Sequence, residues 1–298
     1  MRYYKSCMLC PRRCGADRTR GVGYCGESAT LRAGKAYLHM WEEPPISGVR
    51  GSGTVFFSGC SLRCVYCQNS VIASGGAGYE LDEKRLSEIF LELKDKGAHT
   101  INLVTPTHFV RHIMKAIDLT RGRLGIPIVY NCGGYESTEV IKALDGYIDI
   151  WLPDFKYMEP ALAARYSNAP DYPEAAKRAI DEMVRQCMCR CTFSDDGLMK
   201  RGVIVRHLVL PDQTENSKAV IKYLYGRYGD GVYMSIMNQY TPMPGIKGCP
   251  ELMRRVSDAE YDKVIDYAAE LGVKNAFVQE GGAAGESFIP AFDGGGII

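Results

Sequence analysis

A chain of 298 residues, 46% of them hydrophobic, has the length of one α/β barrel domain and enough apolar material to fill its core. A formal net charge of +1 provides no bulk attraction to nucleic acid or to an anionic membrane, and no apolar run approaches the ~20 residues that a membrane helix needs. The N-terminal MRYYKSCMLC lacks the apolar core of a signal peptide, so a cytoplasmic location is expected, where twelve cysteines point to metal or redox chemistry rather than disulfides.

Residues 1–50 show no sustained hydrophobic period. They read as a small cysteine-rich metal knuckle and a linker, and residues 51–298 as one barrel domain with a C-terminal tail. In the knuckle, Cys7, Cys10, Cys14 and Cys25 are separated by two, three and ten residues, and Gly15, Gly23 and Gly26 permit tight turns. Four thiolates suit zinc or an iron–sulfur cluster equally well. The segment HMWEEPP, His39 to Pro45, is an aromatic and acidic stretch of a kind that could cover the site or dock a partner, and is read in the first place as a linker strand. From residue 51 onward, short β-branched runs alternate with amphipathic stretches. The predicted strands are TVFFS (54–58), INLV (101–104), PIVYN (127–131), YIDIWL (147–152), VIVRHLVL (203–210), YMSI (233–236) and AFVQ (276–279). The first predicted helix places Leu86, Ile89, Phe90 and Leu93 on one face and stops at Gly97; the last opens on a Ser257–Glu260 capping box. This alternation implies a parallel sheet with right-handed crossovers. Roughly six β/α units, fewer than the eight of a closed barrel, imply a partial barrel. Cys187, Cys189 and Cys191 would share a face on a strand and scatter on a helix; their spacing matches no site, and they read as surface or partly buried thiols. The terminal GGGII is expected to be loose.

The segment FSGCSLRCVYCQN, Phe57 to Asn69, follows the first barrel strand and therefore lies on the face where barrel active sites form. Its Cys60, Cys64 and Cys67 place three thiolates on one loop. With twelve cysteines in the chain, this spacing arises by chance about 0.02 times. A zinc site would want a fourth ligand nearby, and none follows Cys67. A cubane cluster takes one thiolate per iron, so three leave one iron open.

A C-x3-C-x-Y-C loop after a first β-strand resembles the signature of the radical S-adenosylmethionine (SAM) superfamily, and FFSGCSLRCVYCQN resembles its pyruvate formate-lyase activating enzymes and their relatives. The resemblance implies a partial (β/α)6 barrel. It implies a [4Fe–4S] cluster on Cys60, Cys64 and Cys67, and SAM bound at the open iron beside Tyr66. It also implies reductive cleavage of SAM to methionine and a 5′-deoxyadenosyl radical that abstracts hydrogen from a substrate. A flavodoxin or ferredoxin as electron donor follows from the same resemblance, as does a second iron–sulfur cluster as an alternative to zinc at the N-terminal cysteines.

The remaining site candidates lie at strand ends. The family usually carries a GGE-like motif after its second strand, whereas this chain has Val104-Thr105-Pro106-Thr107-His108; the Thr105 and Thr107 hydroxyls are candidates for the SAM ammonium. Asn131 is a candidate for the SAM ribose or carboxylate, with Gly133 and Gly134 allowing close backbone approach. Asp154 and Lys156 lie on one side of an extended segment and could both face the barrel mouth. Arg206 and His207 interrupt an apolar strand; one must point inward, and Arg206 suits a carboxylate. Gln239, Tyr240, Gln279 and Glu280 are weaker candidates.

Three functions are compatible with these residues: activation of a glycyl radical enzyme, radical modification of another peptide, protein or small molecule, and a non-catalytic iron–sulfur or zinc protein. The open iron and the polar strand ends argue against the last.

Overall fold

The computed structural model describes residues 2–279 and 290–298. Its ten strands are β1 (Arg32–His39), β2 (Ser52–Phe57), β3 (Tyr79–Glu80), β4 (Ile101–Val104), β5 (Ile128–Cys132), β6 (Ile150–Pro153), β7 (Thr192–Phe193), β8 (Met199–Leu208), β9 (Tyr233–Met237) and β10 (Ala276–Val278). Nine helices are described: α1 (Pro44–Ser47), α2 (Ser70–Ala73), α3 (Glu83–Asp95), α4 (Val110–Thr120), α5 (Thr138–Ala143), α6 (Pro160–Ser167), α7 (Tyr172–Gln186), α8 (Thr214–Tyr228) and α9 (Asp258–Glu270). None is long and apolar enough to cross a membrane.

The sheet runs β10-β9-β8-β6-β5-β4-β2-β1-β3, with β7 paired to β8. From β2 to β10 every neighbour along that path is parallel, as expected when a helix separates successive strands. Among the described residues the sheet does not close, so the α/β partial barrel read from the sequence is the observed architecture. All seven predicted strands form. At α3, Asp82 accepts from the Arg85 N–H and the helix buries Leu86, Ile89, Phe90 and Leu93; α9 opens on the expected capping box.

Two segments differ from expectation. Residues 32–39, read as part of a linker, form β1, antiparallel to β2 in the same sheet. The tail is not loose: Gly294 and Gly295 bond back to Gly34 and Ala36 of β1, and Ile297 is buried. Both differences come from long-range backbone pairing, which leaves no local period in the sequence.

Alternation along the strands sorts side chains between two cores. Tyr130, Trp151, Val203 and Val205 face the helices in the main core. Val129, Ile150, Leu152 and Ile204 pack inside the curve of the sheet in a small second core. Asn131, Asp154 and Arg206 share the parity of this inner set. They therefore stand above the inner core at the C-terminal ends of their strands.

Candidate functional site

The cysteine loop runs from the end of β2 to α2, braced by the N-terminal segment. Cys60 N–H donates to the Cys25 carbonyl (3.1 Å). Arg12 Nε donates to the Ser61 carbonyl (2.9 Å) and its guanidinium also reaches the Ser167 carbonyl (2.8 Å). Gly26 and Gly75 meet backbone to backbone: a Cβ at Gly26 would lie 2.9 Å from Gly75 Cα, and one at Gly75 would lie 2.6 Å from Gly26 Cα. Both have positive φ, which glycine adopts without strain.

Cys60, Cys64 and Cys67 line an inner chamber of about 230 Å³ with Thr105, Asn131, Asp154, Lys156 and Arg206. Cys60 Sγ accepts from the Leu62 N–H (3.4 Å) and Cys64 Sγ from the Ser167 hydroxyl (3.0 Å). Burial pushes the Cys67 thiol up to about 12, and the neighbouring Cys60 and Cys64 charges add to it. Among the described residues, no three or more His, Cys, Asp or Glu side chains gather as the ligands of a single metal ion. A cubane asks for wider spacing, one thiolate per iron. Three thiols line one chamber, two of them receiving hydrogen bonds, so each can serve a separate iron, and thiolates that raise one another need a positively charged group among them.

Beyond the thiols the chamber is lined with charge. Asp154 accepts from Lys156 Nζ (2.6 Å) and Arg206 Nε (2.9 Å). Burial works against its ionisation, but the Arg206 and Lys156 charges outweigh burial and hold its carboxyl below the usual range. Arg206 also donates to Asn131 Oδ1 (2.6 Å) and Glu42 (3.4 Å), and Asn131 Nδ2 donates to Glu42 (3.3 Å). A side chain at Gly134 would strike the Asp154 carbonyl at 2.0 Å, so glycine here lets the turn after β5 pass against the end of β6. Its neighbour Gly133 lines the chamber.

The sequence candidates divide as follows. Thr105, Asn131, Asp154, Lys156, Arg206 and Gln239 are brought together in the inner chamber. Tyr66 lines it too, but its hydroxyl bonds Tyr157 (2.7 Å) and its ring sits among Tyr166 and Tyr240; it supports the loop. Thr107 is a correction. The 3-10 turn Thr107–Phe109 buries it, and its hydroxyl donates to Glu136 (2.7 Å) away from the chamber. Nor does it cap α4, whose N-cap is Phe109. His207 points to the helix side, bonded to the Phe155 carbonyl and the Ser217 hydroxyl. Tyr240 donates to the Leu252 carbonyl. Gln279 joins an outer chamber beside Gln239, and Glu280 lies outside the described residues.

Sequence reasoning missed Glu42 and Glu43, which belong to the HMWEEPP segment read as a linker. They line the outer chamber, about 560 Å³, with Arg206. Their one signal was a doubled carboxylate beside Trp41 and before two prolines, a pattern equally common in surface chain.

Of the N-terminal cysteines, Cys7 and Cys25 are buried, Cys10 is half-buried and Cys14 is exposed. Burial pushes the Cys10 thiol up to about 12, with Glu136, Cys25 and Cys7 adding to it against the Arg12 backbone N–H. Cys187 is buried, Cys189 exposed and Cys191 half-buried; left-handed Met188 and Cys189 follow α7, and Cys191 lies near enough to Cys187 for its charge to add to the effect of burial on that thiol.

A family model described as the radical SAM superfamily matches residues 54–224. An uncharacterized protein of Methanocaldococcus jannaschii is 26% identical over 274 residues, covering 89% of this chain and 75% of that protein. The fold is similar to that of Streptococcus suis SuiB bound to S-adenosylmethionine, with a TM-score of 0.51 at 14% identity over 74% of this chain and 48% of SuiB. The SuiB structure bound to its precursor peptide SuiA gives a TM-score of 0.52 at 13% identity over 74% of this chain and 46% of that one. The chain thus spans about half the length of SuiB, and at this identity the likeness is one of fold.

Proposed function

Because the chain belongs to the radical SAM superfamily, a family that implies SAM and a [4Fe–4S] cluster, we propose that Cys60, Cys64 and Cys67 hold that cluster and that the inner chamber takes SAM. When bound, the pair supplies reductive cleavage of SAM and a radical able to abstract hydrogen. One observation carries the reading: the three thiols share a chamber with Thr105, Asn131, Asp154, Lys156 and Arg206, all at the C-terminal ends of parallel strands. Lys156 spends one of its three donors on Asp154 and has others for the SAM carboxylate. Thr105 offers an acceptor to the ammonium, and Asn131, held by Arg206 and Glu42, meets the ribose or carboxylate. The buried tyrosines beneath the loop exclude water.

The substrate is proposed to be a polypeptide. Support comes from the open sheet and from a fold neighbour that binds a precursor peptide. The narrower role, activation of a glycyl radical enzyme, rests on the resemblance of the cysteine loop alone, as does a flavodoxin or ferredoxin electron donor. Residues 1–50 are proposed as a cysteine-rich unit; of the two groups expected at Cys7, Cys10, Cys14 and Cys25, a second iron–sulfur cluster is the one proposed, because these thiols do not gather as the ligands of a single zinc ion.

The test is anaerobic reconstitution with iron and sulfide, reduction, and assay of SAM for 5′-deoxyadenosine. Wild-type protein should form it. Replacing Cys60, Cys64 and Cys67 together by Ala should abolish it, and retained cleavage in the triple variant would overturn the assignment.

A further inference from the structure

The outer chamber is separate in its chemistry from the inner one. The two share seven wall residues, Asn131 and Arg206 among them, but among the described residues only the inner chamber contains thiols. Among the described residues its charged and titratable groups are Glu42, Glu43, Arg206 and His39. Each Arg206 nitrogen is already committed: Nε to Asp154, one terminal nitrogen to Glu42 and the other to Asn131. Lys156, behind them, is held by Asp154. Glu42 has both oxygens occupied, by Asn131 and Arg206. His39 is bonded by the Tyr37 hydroxyl at 2.8 Å; burial, and then the Arg206 charge, lower its pKa to about 4, so it is neutral near pH 7.

That leaves Glu43. It is 8% exposed and lines the chamber beside Ser235 and Glu42, and among the described residues its Oε2 makes no well-formed hydrogen bond. Burial raises its pKa above the ordinary carboxylate range, against the opposing Arg206 charge. Three largely buried carboxylates, Glu42, Glu43 and Asp154, share two cations, Arg206 and Lys156; such an excess is expensive, and a cation brought by a ligand relieves the cost. The walls suit such a ligand: Phe56 and Phe277 line the chamber and offer apolar surface for an aliphatic stem.

We infer that the outer chamber binds a cationic group of the substrate, an ammonium or guanidinium on an aliphatic stem, with Glu43 as its ion-pair partner. This rests on the reading above in one respect, that SAM occupies the inner chamber. The amino group of SAM has the same chemistry, so the test separates the two sources.

Trp41 is 67% exposed and lines this chamber, whereas Trp151 is fully buried, so a change in tryptophan fluorescence reports the chamber's mouth. The probes are an N-acetylated, C-amidated glycyl-lysyl-glycine tripeptide and its norleucine counterpart, titrated into the reconstituted holoprotein with and without saturating SAM. The lysyl probe should bind at least about tenfold more tightly than the norleucine probe, the worth of one charge-assisted bond, and the preference should persist when SAM is saturating. Glu43→Gln should remove the preference and leave SAM affinity within about twofold, since one neutral oxygen acceptor remains. Equal binding of the two probes by wild-type protein would overturn the inference. So would loss of the preference on adding SAM, or a large drop in SAM affinity in Glu43→Gln, either of which would give the carboxylate to SAM. The wild-type comparison needs no variant and decides the matter even if Glu43→Gln fails to fold. Absence of SAM cleavage alongside an intact lysyl preference would overturn the radical SAM assignment and leave this one standing.

Discussion

Thr105 and Thr107 are two positions apart and do different work. Thr105 lines the inner chamber with φ of 58°, a left-handed conformation unusual for a β-branched residue and typical of strained functional sites. Thr107 is spent on Glu136, whose carboxyl burial raises to about 7 while the Thr107 and Tyr130 hydroxyls work against the rise. Thr105→Val should therefore weaken SAM binding about 10- to 150-fold, the range for a lost hydrogen bond to a charged group, with little change in melting temperature. Thr107→Val should do the reverse: SAM affinity within about twofold, and a stability loss of about 1–3 kcal/mol because a buried carboxyl loses a donor. SAM titrations and thermal melts of the two variants check both, and comparable losses of SAM affinity would show that Thr107 reaches the ligand after all. At this scale the sequence was a partial guide. Cys60, Cys64, Cys67, Asn131, Asp154 and Arg206 were legible because strand parity and motif spacing are local. The fate of Thr107 depended on Glu136, 29 residues away.

The parallel strands were legible because each carries a short, mostly apolar run bounded by helix-forming sequence, whereas β1 is diluted by Arg32, Gly34, Lys35 and His39 and owes its pairing to β2 and β3. The N-terminal segment before β1 is an irregular element, held by turns such as Cys7 N–H to the Ala16 carbonyl and by the buried Arg18, whose guanidinium bonds the Glu27, Ser28 and His108 carbonyls. If its four cysteines bind metal, elemental analysis of purified protein should find iron beyond one cluster that disappears in a Cys10→Ser, Cys14→Ser variant. A metal knuckle short of ligands loses its fold, so the bond from Cys60 to Cys25 should loosen as well. Metal content unchanged by the double substitution would show these thiols to be free.

For the whole molecule, the informative feature is the unclosed sheet with β10 at one end of the described path and β3 at the other. Such an opening leaves room for an extended polypeptide to lie across the C-terminal ends of the strands. Electron paramagnetic resonance of anaerobic mixtures of reduced protein, SAM and a candidate polypeptide should show a substrate radical whose main splitting collapses on deuteration at the attacked carbon. Robust SAM cleavage with no polypeptide ever altered would point instead to a small-molecule substrate. The least legible part of the site lies at this scale. Glu42 meets Arg206 across 164 residues, so the charge network exists only once the sheet has curved and brought four separate chain segments together.

The contact between Gly26 and Gly75 bears on inheritance. Each glycine is barred from acquiring a side chain by the backbone of the other, so neither position can drift alone while the interface persists. The N-terminal cysteines and the cysteine loop after β2 are therefore constrained to evolve as one unit: a lineage that discards the first must rebuild the support of the second, and a lineage that keeps both must keep the pair of glycines.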